Sequence, residues 1–333
     1  MDKMELEDIK YVAESCLIDF TKFKNCNILI SGGTGFIGTF IANVFRYRNK
    51  YFEDNVKILS LSRRKVESDD TFSSIKCDIN KEIKIDDDID YVIHLASNTH
   101  PKQYKEDPVG TITTNIIGCN NLLKLSNEKK IKKFLLASSV EIYGEGKEKP
   151  VDETYSGYID CNSVRSGYNE SKRLCESLCQ SYKEQYGLNF VTARLSRIIG
   201  PDTKEDTKAI GQFMTKALNG ENIILKSYGN QRFSYTYVSD AVHALLILLD
   251  KGLNGEAYNI AADADNMTLG DYAKYIASLA QKRVIYEIEN NPSVSKATYA
   301  LLDTKKIRQL GWKPKYTVKE GLKRMFYIKK INN

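Results

Sequence analysis

Short apolar runs alternate with longer segments of helical periodicity between residues 26 and 200. Runs that are apolar at nearly every position are typical of strands buried on both faces of a sheet. Four of them predict strands at Asn27–Ser31, Val56–Ser60, Tyr91–Leu95 and Lys133–Ala137. Strands that alternate with helices form parallel sheets with crossover helices. The pattern therefore predicts an α/β fold with a doubly wound, mostly parallel sheet of about seven strands.

The pattern changes at both ends of this region. Residues 1–25 predict a helical extension that precedes the sheet. Beyond residue 200 the segments shorten and turn signals such as Asn219-Gly220 and Asn254-Gly255 become frequent. We expect a first domain at 26–200, to which a strand or helix from about 233–260 returns, and a smaller mixed C-terminal substrate-binding lobe at 201–333.

Composition and charge narrow the classes of function. The chain has 333 residues and a formal charge of +6, and its basic residues are interspersed with acidic ones rather than grouped. This predicts binding of anionic metabolites rather than nucleic acid. The acidic N-terminus and the shortness of the longest apolar run, around Ala241–Leu249, predict a soluble, cytoplasmic protein without a membrane partner. Seven scattered cysteines and three isolated histidines show no metal-ligand spacing, so no metal is expected.

A glycine-rich segment follows the first predicted strand. Its glycines have the spacing G-x-x-G-x-x-G, with a helical pattern after them. Glycines at such a turn let the backbone approach a pyrophosphate, and the helix N-terminus supplies unpaired N–H groups and partial positive charge. The segment predicts dinucleotide binding in a Rossmann-type domain, through Gly32, Thr34, Gly35, Phe36, Ile37 and Gly38.

The adenosine end of the cofactor is expected near the ends of the next two strands. In dinucleotide-binding domains the second strand ordinarily ends in an acid for the ribose 2′-hydroxyl, whereas here Ser62, Arg63 and Arg64 follow it. An arginine can pair with a 2′-phosphate, which favours NADP over NAD. A merely solvated basic loop is the alternative. Asp78 and Ile79 are placed for the adenine, although Asp78 is equally well explained as a surface residue.

Tyr168 and Lys172 stand four residues apart on a predicted helix and therefore project from one face. A tyrosine in water ionises near pH ~10, so a phenol that acts as a base needs a neighbouring positive charge. Lys172 is placed to supply it. Ser139 follows the fourth predicted strand, where its hydroxyl can bond the substrate oxygen that Tyr168 deprotonates. These residues predict a catalytic group that moves a hydride to or from a nicotinamide.

Together these segments resemble the extended short-chain dehydrogenase/reductases that modify nucleotide sugars, the epimerase/dehydratase family. The resemblance runs from about residue 26 to 325. The segments that carry it are GGTGFIG at 32–38, HLAS at 94–97, the N-x-x-G of 115–118, SSVEIYG at 138–144, YNESK at 168–172 and FSYTYVSD at 233–240. Within the family, HLASNTHPKQYKEDPVGTITTN and YGNQRFSYTYVSD are most similar to UDP-glucuronate decarboxylases.

The resemblance implies roles for individual residues. It implies that Ser139, Glu141, Tyr168 and Lys172 are catalytic and that Arg232 binds the substrate diphosphate. It also implies that the HLAS segment (Leu95, Ala96, Ser97), together with Tyr168 and Lys172, lines the NAD or NADP site. Tyr104 and Asn121 fit architectural or substrate-edge positions. The resemblance also implies a nucleotide diphosphate sugar as substrate and a homodimer as the assembly.

The reaction itself is left open between several 4-keto-dependent conversions. Family dehydratases carry Thr-Asp-Glu where this chain has Ser139-Val140-Glu141, and valine cannot donate a proton to departing water. Decarboxylation of a nucleotide-linked uronic acid is favoured. The alternatives are a 4-epimerase, in which Glu141 is structural, a 4,6-dehydratase, or an NADPH-dependent reductase of a 4-ketosugar.

One substrate-side position departs from the decarboxylase pattern in a way that changes its chemistry. Arg197 stands where the decarboxylases have asparagine. Arg197 either adds a second guanidinium to the diphosphate or pairs with an acid such as Asp202 without a chemical role.

Overall fold

The computed structural model describes residues 2–97, 106–201, 208–263, 267–288 and 298–332. Its largest sheet is built from β1 (Asn27–Ser31), β2 (Lys57–Ser62), β3 (Phe72–Lys76), β4 (Tyr91–His94), β5 (Lys133–Ser139), β6 (Phe190–Leu195) and β11 (Ala257–Ile260). The order is β3-β2-β1-β4-β5-β6-β11, and every neighbouring pair is parallel. The predicted parallel sheet is confirmed, and the four predicted strands are β1, β2, β4 and β5.

Helices cover both faces of this sheet. On one face lie α1 (Lys3–Ala13), α2 (Phe36–Phe52) and α6 (Val238–Lys251), and on the other lie α3 (Pro108–Glu128) and α4 (Ser166–Tyr186). The described part of the chain also contains α5 (Ala209–Leu218), α7 (Leu269–Leu279), α8 (Lys305–Arg308) and α9 (Val318–Asn332). Ile28 and Ile30 of β1 pack in the core that holds the apolar side chains of α1, α2 and α6. Leu29 between them packs with α3 and α4 on the other face. Both faces of β1 are buried, which explains its uninterrupted apolar run.

The strand order reverses between β1 and β4. From β1 the chain moves outward to β2 and β3, and it then returns to β4 and continues outward in the opposite direction. Ligands of doubly wound sheets bind at the carboxyl ends of the strands beside such a reversal. The fold thus directs attention to the ends of β1, β4 and β5.

Three short parallel strand pairs lie outside this sheet. β7 (Arg197–Ile199) pairs with β10 (Tyr235–Tyr237), β8 (Ile223–Leu225) with β12 (Val284–Tyr286), and β9 (Arg232–Phe233) with β13 (Tyr299–Ala300). With α5, α7 and α9 they form the substructure that faces the carboxyl edge. The chain returns from it through α6 and β11 to the large sheet. The division of the chain at residue 200 stays a prediction.

The N-terminal segment is joined to the rest of the protein by buried polar contacts. Asp8 of α1 accepts hydrogen bonds from the hydroxyls of Tyr237 and Tyr316, each at 2.9 Å, and its carboxylate lies 2.9 Å from the Arg324 guanidinium. Burial raises the pKa of Asp8, against the opposing effect of Arg324. His243 of α6 bonds Tyr11 and Ser15 of the same segment at 2.9 and 2.7 Å. Residues 2–15 are therefore an integral part of the core.

Candidate active site

The turn between β1 and α2 packs too tightly for side chains. Gly32 has a φ of +78°, which favours glycine. A Cβ added at Gly33 would lie 2.5 Å from the Ser60 Oγ, and one added at Gly38 would lie 2.5 Å from the Gly33 Cα. Such distances exclude any larger residue unless the backbone moves. The glycines predicted from spacing thus hold the start of α2 directly against the turn.

The first turn of α2 offers its backbone N–H groups to a ligand. Gly35 is the N-cap residue, and no side chain caps the helix there. The N–H groups at the start of an α-helix have no partner within the helix, and with the helix dipole they form a site for phosphate. Phe36 and Ile37 begin this turn, and Thr34 precedes its cap. These residues fit the pyrophosphate of a dinucleotide, and a larger side chain at Gly35 would crowd the Gly32 carbonyl.

The segment after β4 forms the opposite wall of this turn. The Ser31 Oγ lies 2.7 Å from the His94 Nδ1 and accepts a bond from the Ala96 N–H at 3.3 Å, while the Leu95 N–H donates to the Ser31 carbonyl at 3.0 Å. A Cβ at Gly32 would lie 3.0 Å from the Ala96 nitrogen. Burial, with a smaller effect of the Lys172 charge, lowers the pKa of His94 to about 3. His94 is thus a neutral structural residue that joins β1 to β4.

The adenosine-side residues lie at the ends of β2 and β3. The Ser62 hydroxyl donates to the Arg64 carbonyl, which folds this loop back, and Arg63 between them is exposed. The Asp78 carboxylate accepts the Asn80 N–H at 3.1 Å. Ile79 is buried directly under Gly118, since a Cβ there would lie 2.4 Å from its Cδ1.

Lys172 is fixed at the carboxyl end of β5. Tyr168 and Lys172 are both buried on α4, and the Lys172 Nζ donates to the Ala137 carbonyl at 2.9 Å. Ser139 ends the same strand two residues later, and its Oγ accepts the Glu141 N–H at 3.2 Å. The strand and the helix that faces it thus bring the predicted catalytic residues to one edge of the sheet, next to the β1–β4 reversal.

A hydrogen-bonded chain that sequence patterns did not predict connects this group to the segment after β4. The Ser97 hydroxyl donates to the Asn115 side chain at 2.7 Å, the Asn115 amide donates to Ser171 at 2.8 Å, and Ser171 donates to the Tyr168 carbonyl at 2.9 Å. All three residues lie in segments that carry the family resemblance, but nothing in the sequence indicates that their side chains bond each other. This chain fixes α4 against α3 and orients the turn that carries Tyr168.

Glu141 and Arg197 form an ion pair beside the catalytic residues. The Arg197 NH2 lies 3.1 Å from the Glu141 Oε1, and the guanidinium carbon lies 3.7 Å from the centre of the Phe233 ring. The Arg197 NH1 is buried and has no hydrogen-bond partner among the described residues. Arg197 therefore pairs with the expected catalytic acid itself, whereas the suggested partner Asp202 lies outside the described residues.

The remaining substrate-side predictions have different outcomes. Arg232 lies on β9 beside Phe233, and its N–H donates to the Thr298 carbonyl at 3.1 Å. Asn121 donates its amide to the Ile79 and Lys81 carbonyls at 2.8 and 3.0 Å. These bonds hold the loop after β3, which fits the architectural alternative for Asn121. Tyr104 lies outside the described residues.

Comparison with known proteins identifies the family. The model of the NAD dependent epimerase/dehydratase family matches residues 28–261. The chain belongs to this family. It is 33% identical over 311 residues to UDP-glucuronic acid decarboxylase 5 of Arabidopsis thaliana, with 90% of this chain and 87% of the relative covered. The family relationship confirms the resemblance noted from the sequence and makes the protein an enzyme of the epimerase/dehydratase type.

Solved structures of family members share the fold. UDP-glucose 4-epimerase of Thermotoga maritima superposes with a TM-score of 0.76 at 25% identity, over 92% of this chain and 99% of that one. A dTDP-glucose 4,6-dehydratase of Streptomyces venezuelae gives a TM-score of 0.78 at 20% identity, over 92% and 97%. These similar proteins share one fold and are named for three different reactions. No helix within the described ranges is long and apolar enough to cross a membrane.

Proposed function

We propose that this protein binds NAD or NADP and decarboxylates a nucleotide-linked uronic acid such as UDP-glucuronate through a 4-keto intermediate. The observation that carries the proposal is the placement of Ser139, Tyr168 and Lys172 at the carboxyl edge of β5, next to a glycine turn that fits a pyrophosphate. The 33% identity to a UDP-glucuronic acid decarboxylase supports the choice of reaction.

The catalytic residues act on the C4 hydroxyl of the sugar. Tyr168 takes the hydroxyl proton, and Ser139 donates a hydrogen bond to the same oxygen. Lys172, held by the Ala137 carbonyl at 2.9 Å, lies one helical turn from Tyr168 on the same face of α4 and supplies the cationic side chain of this group. When bound, the nicotinamide supplies the hydride acceptor that makes this oxidation possible and the donor that reverses it.

The 4-ketone makes loss of carbon dioxide possible. The carboxylate at C6 is then β to a ketone, so the C5–C6 bond breaks and its electron pair moves into an enolate at C4 and C5. Ser139 and Tyr168 stabilise the enolate oxygen through hydrogen bonds. A proton from solvent is then added at C5. Return of the hydride to C4 and of the proton from Tyr168 to the C4 oxygen gives the nucleotide-linked pentose. No acid is needed to expel water, which agrees with a valine at position 140.

A 4-epimerase is the second candidate, and one observation favours it. The Glu141 carboxylate is bound by Arg197 at 3.1 Å, as a structural carboxylate would be, and an epimerase requires no acid at this position. The 4,6-dehydratase has less support because Val140 replaces its proton donor. A reductase of a 4-ketosugar would consume NADPH, and the basic loop at Arg63 would suit it.

Incubation with UDP-glucuronate separates these reactions. The proposal predicts equal amounts of carbon dioxide and UDP-pentose without added reductant. Conversion of UDP-glucose to its C4 epimer without release of gas would replace the proposal with an epimerase. Consumption of NADPH in proportion to product would indicate the reductase.

We also propose a homodimer that forms through the outer faces of α3 and α4. Large apolar side chains are exposed there, with Val109 at 70%, Ile117 at 40% and Leu174 at 43%. A second copy would bury them in a four-helix arrangement. The measured mass in solution by light scattering tests this, with Leu174→Glu expected to give a monomer. The cytoplasmic location stays a prediction.

A further inference from the structure

The ion pair of Arg197 and Glu141 lies beside the expected position of the reacting sugar. We propose that Arg197 recognises the carboxylate at C6 of the substrate and so determines that a uronic acid, rather than a neutral hexose, is bound. This inference rests on the proposed function, because it places the sugar C4 against Ser139 and Tyr168. It extends that function to the residue that selects the substrate class.

The short turn after β5 places the pair near C6. Glu141 follows Ser139 by two residues, and its N–H donates to the Ser139 Oγ at 3.2 Å. The C6 carbon is two bonds from C4, so a C6 substituent directed along this turn meets the Glu141 side chain next. Arg197 contacts that side chain at 3.1 Å from β7.

The charges favour a carboxylate ligand only because Arg197 is present. Glu141 alone would repel a uronate, since two carboxylates that share a site disfavour each other's ionised form. A guanidinium has five N–H donors and can bind two carboxylates through different edges. Here NH2 serves Glu141, while NH1 is buried without a hydrogen-bond partner in the described part of the chain. A substrate carboxylate would satisfy the second edge.

Arg197 is held in place from below. The guanidinium carbon of Arg197 lies 3.7 Å from the Phe233 ring centre, and the backbone N–H of Arg197 donates to the Ser234 carbonyl at 3.2 Å. An arginine stacked on an aromatic ring in a partly buried site loses little freedom when it binds a ligand. The guanidinium of Arg197 stacks on Phe233, whose neighbour in the chain is Arg232, the residue proposed for the diphosphate. The substrate diphosphate is therefore the alternative ligand of Arg197, and the test must distinguish it from the C6 carboxylate.

Binding measurements separate the two ligands without turnover. The parent protein is Tyr168→Phe, which leaves the substrate unconsumed. It is titrated by calorimetry with UDP, UDP-glucose and UDP-glucuronate in the presence of NAD. We expect UDP-glucuronate to bind more tightly than UDP-glucose. Adding Arg197→Gln should lower the affinity for UDP-glucuronate about 10-fold to 100-fold and leave UDP and UDP-glucose unchanged, and Arg197→Lys should restore part of the loss.

Arg46 of α2 provides a matched control. Arg46 also combines a carboxylate, Asp69 at 2.6 Å, with a phenylalanine ring, Phe72 at 5.2 Å, but it lies away from the catalytic residues. Arg46→Gln should leave all three affinities unchanged. An Arg197→Gln variant that loses UDP and UDP-glucose to the same extent overturns the proposal in favour of the diphosphate. If Arg197→Gln leaves all three affinities unchanged, the proposal is wrong and the Arg197–Glu141 pair has only a structural role.

The parent protein alone keeps the inference falsifiable if the Arg197 variants fail to fold. Equal or weaker binding of UDP-glucuronate relative to UDP-glucose contradicts it. The outcome is independent of the reaction: tight binding of UDP-glucuronate without release of carbon dioxide by the unsubstituted protein would refute the proposed decarboxylation and leave this inference standing.

Discussion

The cofactor side and the substrate side of the cleft are built by different means. On the cofactor side, glycines pack against backbone and the start of α2 presents N–H groups, so the site is a property of the main chain. On the substrate side, Arg197, Arg232 and Phe233 project from strands of two or three residues. A site built from backbone requires glycines at fixed spacing, which can be recognised in the sequence. A side chain on a short strand can be replaced by another without a change in the surrounding pattern.

The residues proposed as catalytic, which lie between the two sides, should show the largest effect of any single change. Tyr168→Phe removes only the phenol oxygen, and kcat should fall by about 100-fold to 10,000-fold because a proton-transfer group is lost. Affinity for UDP should stay the same, since the residue proposed for the diphosphate is Arg232, and affinity for NAD should change little, since the phenylalanine keeps the aromatic ring. A fall in kcat of less than about 5-fold would assign the proton transfer to another group.

The substrate side also depends on a buried carboxylate far from the cleft. Asp8 binds Tyr237 of β10, and β10 pairs with β7, which carries Arg197. Asp8→Asn removes the buried charge partner of Arg324 at 2.9 Å and leaves it the more exposed Glu7 at 3.5 Å, so the free energy of unfolding should fall by about 3 kcal/mol. Urea denaturation measures this. Glu82→Gln, which breaks an exposed pair with Lys84, is the control and should change stability by less than about 0.5 kcal/mol.

On the cofactor side, a substitution that displaces the backbone of the glycine turn should weaken binding of NAD(P). Gly38→Ala places a Cβ 2.5 Å from the Gly33 Cα, so the turn must shift and NAD(P) affinity should fall at least about 10-fold, with a loss of stability of about 1–3 kcal/mol. Gly187→Ala is the matched control, because its φ of +71° strains an alanine while no atom lies within 4 Å. If both variants bind the cofactor as the unsubstituted protein does, the turn does not hold the pyrophosphate.

His243 gives the N-terminal attachment a pH dependence. Burial lowers the pKa of His243 to about 4, below its ordinary value of 6.5. The unfolded chain therefore binds a proton between pH 6.5 and 4 while the folded protein does not, and the stabilisation present above pH 6.5 is lost as the pH falls through this window. With His243→Gln, the free energy of unfolding should change less with pH between pH 6.5 and 4, the slope falling by up to about 1.4 kcal/mol per pH unit. An unchanged slope would contradict the buried neutral state.

The smallest effect is expected at the adenosine end. Arg63 is exposed at the end of β2, where charge pairing is weak. Arg63→Ala should lower NADP affinity by about 5-fold and leave NAD affinity unchanged, since only NADP carries a 2′-phosphate. A larger loss for NAD than for NADP would show that this loop does not face the 2′ position.

What the sequence predicted follows the same division. β1, the glycine turn and the Tyr168–Lys172 spacing are local patterns, and each was found where it was expected. The Ser97–Asn115–Ser171 chain and the Glu141–Arg197 pair were not predicted, because side chains that bond each other there are up to 56 residues apart and meet only after folding. The pattern also predicted a helix before β1 but not the burial of Asp8, which has partners more than 200 residues away.

The central claim is tested most directly by UDP-glucuronate that carries deuterium at C4. The account predicts that the protein with bound NAD(P) releases one carbon dioxide per UDP-pentose and that the pentose retains the deuterium at C4, because the hydrogen removed by oxidation is returned to the same carbon. Unlabelled UDP-pentose, or recovery of the substrate without release of carbon dioxide, would contradict it.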